Sequence, residues 1–372
     1  MDSLGSVALR DLKQAASRPG ARPSAARLLP GTSVAEGIPR LERLLRRVPD
    51  GAPGALAGAA AELIGAGGKR VRPLLALLAA RAANPGQRSR GRVALALSAE
   101  LIHSATLLHD DVIDDGLTRR GLPAPRVAYG NGVSVLAGDW LLTSALDLAL
   151  RSRVPGAVEA LVRALRELVA GEARQLALRG RTDFTPEDAL EVARLKTGAL
   201  FAYCGEAGAL AARAGEAVVH ALRAFGGHAG VAFQISDDLL DFEADERELG
   251  KAVLADVAEG KPSLPLAIAL QRLAPLREEF ATLFADSRRL EDLHRAGDGK
   301  LVGPTAQAPR EALLLRTRAF ATRLSRTGAL VAARRIAEQE RDLALAALSS
   351  IPSSPTRELL AQVATVLLER NS

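Results

Sequence analysis

The sequence predicts an all-α helical bundle, and three observations carry that prediction. Apolar residues recur at three- and four-residue spacing through six long segments, 93–112, 134–150, 158–178, 186–214, 216–242 and 329–348. The same segments are rich in Ala, Leu, Arg and Glu, which favour helix over strand. Alternating β-branched runs joined by Asn-Gly turns do not occur, and Asn131-Gly132 reads as a loop ahead of a helical run. With 372 residues, 48% of them hydrophobic and 25% charged, the chain has enough apolar surface for a sizeable core, which excludes wholesale disorder.

Along the chain, residues 1–35 mix Ala, Arg, Ser, Pro and Gly without a sustained period. They read as a flexible basic tail, with an organellar transit peptide as the sharper alternative. The helical pattern begins near residue 36 and runs to 372 as one domain. Thr185-Pro186-Glu187-Asp188 has the composition of a helix start, with Thr at the N-cap, Pro next and acids in the first turn. Residues 286–312 lose periodicity and contain Gly297, Gly299, Gly303, Pro304 and Pro309, so a surface loop is expected there.

Charge and composition narrow the function. The net charge is +6 and the isoelectric point is near 9.9. Residues 1–47 hold nine Lys/Arg against four Asp/Glu, so the rest of the chain is close to neutral. Only 3% of residues are aromatic, too few for base stacking, and no nucleic-acid partner is expected. Cys204 is the sole cysteine, which excludes an intrachain disulfide and suits a reducing compartment. No uninterrupted apolar run approaches the ~18 residues of a membrane span, and the first residues lack the hydrophobic core of a signal peptide. A cytoplasmic protein is expected.

Two acidic clusters carry the chemistry. In His109-Asp110-Asp111-Val112-Ile113-Asp114-Asp115, Asp110 and Asp114 stand one helical turn apart on one face. Like charges so placed repel. Alone, the cluster also fits a solvated helix end, with Arg119 and Arg120 as nearby counter-charges. A divalent ion is the more economical partner, and hard carboxylate oxygens suit Mg2+. Asp237-Asp238-Leu239-Leu240-Asp241 repeats the Asp-Asp-x-x-Asp spacing on a second apolar helix. Two such faces opposed across a bundle need metal and a polyanion, with about three Mg2+ bridging to a diphosphate. Gly67-Gly68-Lys69-Arg70-Val71-Arg72-Pro73, Gly250-Lys251, Gly260-Lys261 and Lys196-Thr197 supply cations suited to phosphate. His103 lies seven residues before Asp110, on the same helix face.

Taken in order, GGKRVRP (67–73), LIHSATLLHDDVIDDGLTRRGLPA (101–124), GNGVSVLAGDWLL (130–142), LKTGALF (195–201), GVAFQISDDLLDF (230–242) and LGK…EGKPSLP (249–265) resemble the trans-isoprenyl diphosphate synthase (polyprenyl synthetase) family. The resemblance runs from about residue 60 to the C-terminus. It implies a single large bundle of the isoprenoid synthase type around a deep central cavity, a homodimer, and Mg2+-dependent condensation of isopentenyl diphosphate with an allylic diphosphate. Asp110, Asp111 and Asp114 match the first metal motif, and Asp237, Asp238 and Asp241 the second. Lys69, Arg72, His103 and Arg120 match isopentenyl diphosphate contacts. Arg119, Lys196, Thr197, Gln234, Lys251 and Lys261 match contacts to the allylic diphosphate or support for its departure. Among these, Asp110, Asp111, Asp114, Asp237, Asp238 and Lys196 are the expected catalytic residues.

The chain departs from the family pattern at Leu254, where Gly is usual, and at Ser263, where Thr is usual. Small residues at Ala105 and Thr106, one turn before Asp110, leave the product channel open in the resemblance, so a medium- or long-chain all-trans product is expected, with geranylgeranyl diphosphate as the alternative. A terpene cyclase and a non-catalytic subunit fit less well, since both acidic motifs are intact and a second-substrate site is apparent. Release of so apolar a product implies transient membrane contact.

Overall fold

The structure, a computed structural model, describes residues 33–86, 91–119, 121–243, 254–296 and 304–368. Among them, sixteen α-helices alternate with short turns: α1 Ser33–Arg47, α2 Ala55–Gly65, α3 Val71–Ala83, α4 Gly91–Ile113, α5 Pro125–Tyr129, α6 Asn131–Ser152, α7 Ala157–Leu178, α8 Pro186–Ala193, α9 Ala199–Ala211, α10 Glu216–Glu243, α11 Ala255–Glu259, α12 Leu264–Arg272, α13 Pro275–Ala296, α14 Pro304–Arg326, α15 Ala329–Ala347 and α16 Pro355–Leu368. A two-residue antiparallel ladder, β1 Thr118–Arg119 with β2 Leu122–Pro123, interrupts the helices after α4. Both strands are too short to leave an alternation in the sequence.

The long helices follow the apolar spacing. All six expected segments are helical, and Thr185 closes a reciprocal capping box with Asp188 at the start of α8. That cap satisfies two otherwise unpaired backbone N–H groups. Between α8 and α9, residues Arg194–Gly198 form one widened π turn. A turn of this kind inserts a residue into the helix, and such turns recur at functional sites.

Two apolar cores share one spine. The larger joins α1–α4, α6, α7 and α9. The smaller joins α8 with α12–α15. Helix α10, about 42 Å long at ~1.5 Å per residue, enters both. Leu222, Phe225 and Ala229 lie in the first core, and Val231, Ala232, Ile235 and Leu239 in the second. The acidic end of α10 therefore lies at the second core, with Asp238 next to its Leu239. Arg70, itself buried, ties α1 to α4 by donating to Glu42 at 2.8 Å and Glu100 at 2.6 Å. Removing one partner of such a buried pair costs about 3–5 kcal/mol.

Two expectations are overturned, the first at Asn131-Gly132, which opens α6 after the Gly130 N-cap instead of forming a loop. The segment expected as a loop over 286–312 is largely helical, with α13 running to Ala296 and α14 starting at Pro304. The reason is local: Pro304 stands in the first turn of its helix, where its missing N–H costs nothing, and Pro309 is accommodated inside α14. Residues 297–303, and most of the expected tail 1–35, lie outside the described residues. The sequence also understated α6, which is long and apolar enough by composition to cross a membrane, yet is only one-third buried.

Candidate active site

The first acidic motif sits where α4 ends. Asp114 N donates to Asp110 O at 2.8 Å, carrying the helical hydrogen bonding one residue past Ile113. Asp115 then adopts the left-handed conformation, φ 54°, and stops it. Asp is among the few non-glycine residues that tolerate this region. The chain next returns through the β1–β2 ladder, which lays Arg119 on Asp111: its Nε donates to Oδ1 at 2.9 Å. Asp111 is buried, and its Oδ2 finds no hydrogen-bond partner among the described atoms.

The second motif occupies the last turns of α10 and faces the first. Asp110, Asp114 and Arg119 from one side, and Gln234, Asp238, Lys196 and Lys261 from the other, line one open cavity of about 200 Å³. Ala189, Val192 and Ala193 form an apolar wall. Acidic side chains in the last turn of a helix oppose its dipole. Both motifs are therefore energetically misplaced unless cations gather around them.

Cations do gather. Lys196 Nζ lies 3.7 Å from Asp110 Oδ2 and 2.5 Å from Glu172 Oε1. Lys261 Nζ lies 3.2 Å from Asp114 Oδ2 and 2.5 Å from Glu259 Oε2. Arg179 Nη1 approaches Asp114 Oδ1 at 3.4 Å. The second motif is held by amides instead. Thr197 Oγ1 donates to Gln234 Oε1 at 2.6 Å, Gln234 Nε2 donates to Asp238 Oδ1 at 2.9 Å, and Leu264 N donates to Asp238 Oδ2 at 3.2 Å. Thr197 thus fixes the direction of the Gln234 amide, and Gln234 fixes Asp238.

On the carboxylates of the site, burial acts more strongly than their cationic and hydrogen-bonding partners do. It pushes Asp110 above the usual carboxylate range, against the pull of Lys196. Glu172 is raised for the same reason. Asp238 is raised well above that range by burial and by the Asp256 and Asp237 carboxylates. Asp241 rises to about 7 through burial and Asp256. Burial alone would lower Lys261, but Glu259, Asp114 and Asp256 outweigh it and raise its pKa. Desolvation disfavours the charged form of a lone acid, so these carboxylates are poised to accept a cation.

The geometry sorts the expected site residues. Asp110, Asp114, Arg119, Lys196, Gln234, Asp238 and Lys261 share the cavity. Thr197 is buried behind Gln234. Asp111 serves Arg119 and is not among the lining residues. Asp241, expected as a metal ligand, accepts from the backbone N–H of Ala255 at 3.1 Å and Asp256 at 3.0 Å, and so caps α11. Both its oxygens are engaged, because the chain after residue 253 folds back onto it. Asp237 is exposed, and its field reaches Arg72. Arg72 lies with its guanidinium 5.1 Å above the Phe201 ring, and its Nε has no hydrogen-bond partner among the described atoms. Lys69 is exposed at the start of α3, and His103 is half-buried on α4. Arg120 and Lys251 lie outside the described residues.

Sequence reasoning missed Glu172 and Gln175 on α7, Arg179 at its C-cap, and Asp256. Their signal was present: 172, 175 and 179 follow a three-four spacing on one helix face. Gly171 brings that face close, since a Cβ there would stand 2.8 Å from Lys196 N in the π turn. A larger residue would push α7 off the turn that aims Lys196.

Among the described residues no three of Asp, Glu, His and Cys converge as a ready-made metal cluster. The donor set nonetheless fits a hard divalent ion. The oxygens are carboxylates on two opposed helix ends, several disfavour ionisation without a cation, and one buried Asp111 oxygen is unpartnered. Mg2+ takes few carboxylates and completes its shell with water and phosphate oxygens, as such split sites require.

Comparison with known proteins agrees with this geometry. The polyprenyl synthetase family pattern matches residues 54–296. An octaprenyl diphosphate synthase of Escherichia coli is 34% identical over 83% of this chain and 88% of its own length. A short chain isoprenyl diphosphate synthase of Methanothermobacter thermautotrophicus is 35% identical over 88% of this chain and 94% of its own. A polyprenyl synthase of Caulobacter crescentus, solved with calcium and isoprenyl diphosphate, superimposes with a TM-score of 0.77 at 35% identity, covering 91% of this chain and 95% of that one. With two facing carboxylate motifs on an all-α bundle, and with these relatives spanning nearly its whole length, the chain belongs to the polyprenyl synthetase family of trans-isoprenyl diphosphate synthases and is a chain-elongating prenyltransferase.

Proposed function

We propose that this enzyme condenses isopentenyl diphosphate with an allylic diphosphate, in a Mg2+-dependent reaction, to give an all-trans polyprenyl diphosphate of medium or long chain. The observation that carries the reading is the sharing of one cavity by Asp110 and Asp114 on one wall and Asp238 on the other, lined as well by Lys196, Lys261 and Arg119. Asp110, Asp114 and Asp238 would hold the ions, about three with substrate present. Bound there, Mg2+ supplies positive charge against the diphosphate.

The chain's own residues do the rest. Lys196, Lys261 and Arg119 bind the allylic diphosphate and stabilise the negative charge that grows on it as its C–O bond breaks. Thr197 and Gln234 hold Asp238 in place. On the other substrate, Lys69, Arg72 and His103 bind the diphosphate of isopentenyl diphosphate, and the unpartnered Nε of Arg72 is a donor suited to it. So held, the double bond attacks the allylic cation as a near-intramolecular neighbour. A C–C bond forms, and a proton is lost to the departing diphosphate. Ala189, Val192 and Ala193 keep water from that face.

The product length is read from Thr106, small and half-buried one turn below Asp110. A geranylgeranyl-length product is the competing reading, favoured by the likeness to the short chain archaeal enzyme. We also read the enzyme as a cytoplasmic homodimer, with exposed apolar residues of α6 and α7 as the surface between copies.

Purified protein incubated with Mg2+, an allylic primer and radiolabelled isopentenyl diphosphate is expected to form products longer than C20, sized by chromatography. Accumulation at C15 overturns the length, and no incorporation overturns the activity. Asp114→Asn and Asp238→Asn are each expected to lower turnover by about 10²–10³-fold, the usual effect of removing one preorganised electrostatic group.

A further inference from the structure

Arg179 stands behind the cavity wall, not in it. It ends α7, and its three guanidinium nitrogens are used unequally. Nε donates to the carbonyl of Glu259 at 2.8 Å, Nη1 reaches Asp114 Oδ1 at 3.4 Å, and the buried Nη2 has no hydrogen-bond partner among the described atoms. Beside it, Gly180 N donates to Gly260 O at 2.9 Å. The two backbones cross here over one ring. A Cβ on Gly180 would stand 2.1 Å from Phe284 Cε1, and one on Gly260 would stand 2.6 Å from Phe284 Cδ2 and 3.0 Å from Gly180 N. Both glycines have positive φ, 73° and 72°. Only glycine allows this crossing and this conformation together.

The crossing joins two parts of the site that are distant in sequence. Residue 261, immediately after it, is Lys261, whose Nζ lies 3.2 Å from the other oxygen of Asp114. Asp114 is thus held by Arg179 on Oδ1 and by Lys261 on Oδ2. The two cations differ in freedom. Lysine is a point charge on a flexible stem and can turn toward a phosphate, whereas the planar Arg179 fork is anchored at Glu259. When Lys261 turns to the allylic diphosphate, Arg179 keeps its hold on both Asp114 and the turn that carries the lysine.

We propose that Arg179 is a positioning residue for the allylic diphosphate: it locks the Glu259–Lys261 turn to Asp114, so that the lysine and the first carboxylate motif meet the diphosphate as one unit. This rests on the function proposed above. The isopentenyl diphosphate residues Lys69, Arg72 and His103 lie on α3, its preceding turn and α4, and none takes part in the crossing.

The test compares wild type with Arg179→Met and Arg179→Lys. Binding of inorganic pyrophosphate with Mg2+ is measured by calorimetry, and the two Michaelis constants are measured separately. Arg179→Met is expected to weaken pyrophosphate binding and raise the KM for the allylic substrate about tenfold, the lower end for loss of a group supporting a ligand residue. The KM for isopentenyl diphosphate is expected to stay within twofold. Arg179→Lys, which keeps the charge but loses the fork, is expected to fall between. A merely structural role would lower the melting temperature and leave the two substrates equally affected. Normal pyrophosphate affinity in a folded Arg179→Met, or an equal rise in both KM values, overturns the proposal. Should Arg179→Met not fold, normal affinity in Arg179→Lys overturns it. Wild-type protein that neither binds pyrophosphate nor elongates overturns the underlying function, and this role with it.

Discussion

Thr106 and Ala105 are both small and both precede Asp110 by about one turn, yet they have different surroundings. Ala105 is only 2% exposed and packed into the larger core. Thr106 is half-buried, with its hydroxyl donating back to the His103 carbonyl at 2.9 Å. A phenylalanine at 105 has no space, and overpacking there costs about 1–3 kcal/mol. Thr106→Phe instead points bulk below the first motif. It is expected to shorten the product by one or more five-carbon units, read by chromatography. An unchanged length distribution would remove Thr106 from the channel wall. At this scale the sequence located Asp110, Asp114 and Asp238 by spacing alone. It did not reveal that Asp241 caps α11, because the N–H groups it accepts from belong to a turn fourteen residues later. Leu254 shows the same limit. Its φ of 65° is a left-handed position, which costs a non-glycine residue about 1–2 kcal/mol. It is also only 3% exposed, and full burial of a leucine returns about 1.5–3 kcal/mol. The departure from the usual glycine is therefore tolerated by packing, which spacing cannot show.

Helices α4 and α10 place carboxylates at their C-terminal ends, where neither has a basic residue in its last turn. Local propensity and the helix dipole both argue against this arrangement, so the counter-charge must come from elsewhere in the fold. The pH dependence follows. Asp241 ordinarily titrates near ~4, and in the fold it titrates at about 7. Between these values the native state binds more protons than the unfolded chain, so stability falls as pH rises through that window. Asp241→Asn cannot ionise. The stability difference between this variant and wild type is therefore expected to move in the variant's favour by on the order of 1 kcal/mol per pH unit between about 4 and 7. Denaturant melts across that range measure it, and a difference independent of pH would refute the assignment. Elements with strong period were legible in order. The π turn Arg194–Gly198 and the β1–β2 ladder were not, since each is too short to imprint a period. Helices α13 and α14 were obscured by neighbouring prolines and glycines in the sequence, although Pro304 opens α14 and Pro309 lies inside it.

At the scale of the molecule, α6 and α7 leave apolar side chains uncovered among the described residues. Leu136 and Leu150 on α6 are 55% and 67% exposed, and Val162, Val169 and Leu176 recur every seven residues on the exposed face of α7. Seven-residue spacing keeps a seam on one side of a helix, where a second helix pair can pack. A second copy of this chain is the proposed occupant. Leu136→Glu with Val169→Glu is expected to convert an assembly of twice 39.0 kDa into monomers, since an unpaired charge buried at an interface costs several kcal/mol. Sedimentation velocity reads the change, and an unaltered mass would place the interface elsewhere.

By itself, the sequence determined the helical class, the two carboxylate motifs and the basic residues suited to phosphate, because helical period and charge spacing are local properties of consecutive residues. Only the tertiary structure decided which of those charges meet. Lys196 with Glu172, Arg179 with Glu259, and Gln234 with Thr197 and Asp238 are partners chosen by how α10 threads two cores and how the chain doubles back at Gly180 and Gly260. Contacts between residues far apart in sequence depend on packing, and packing is set by the whole of the buried surface.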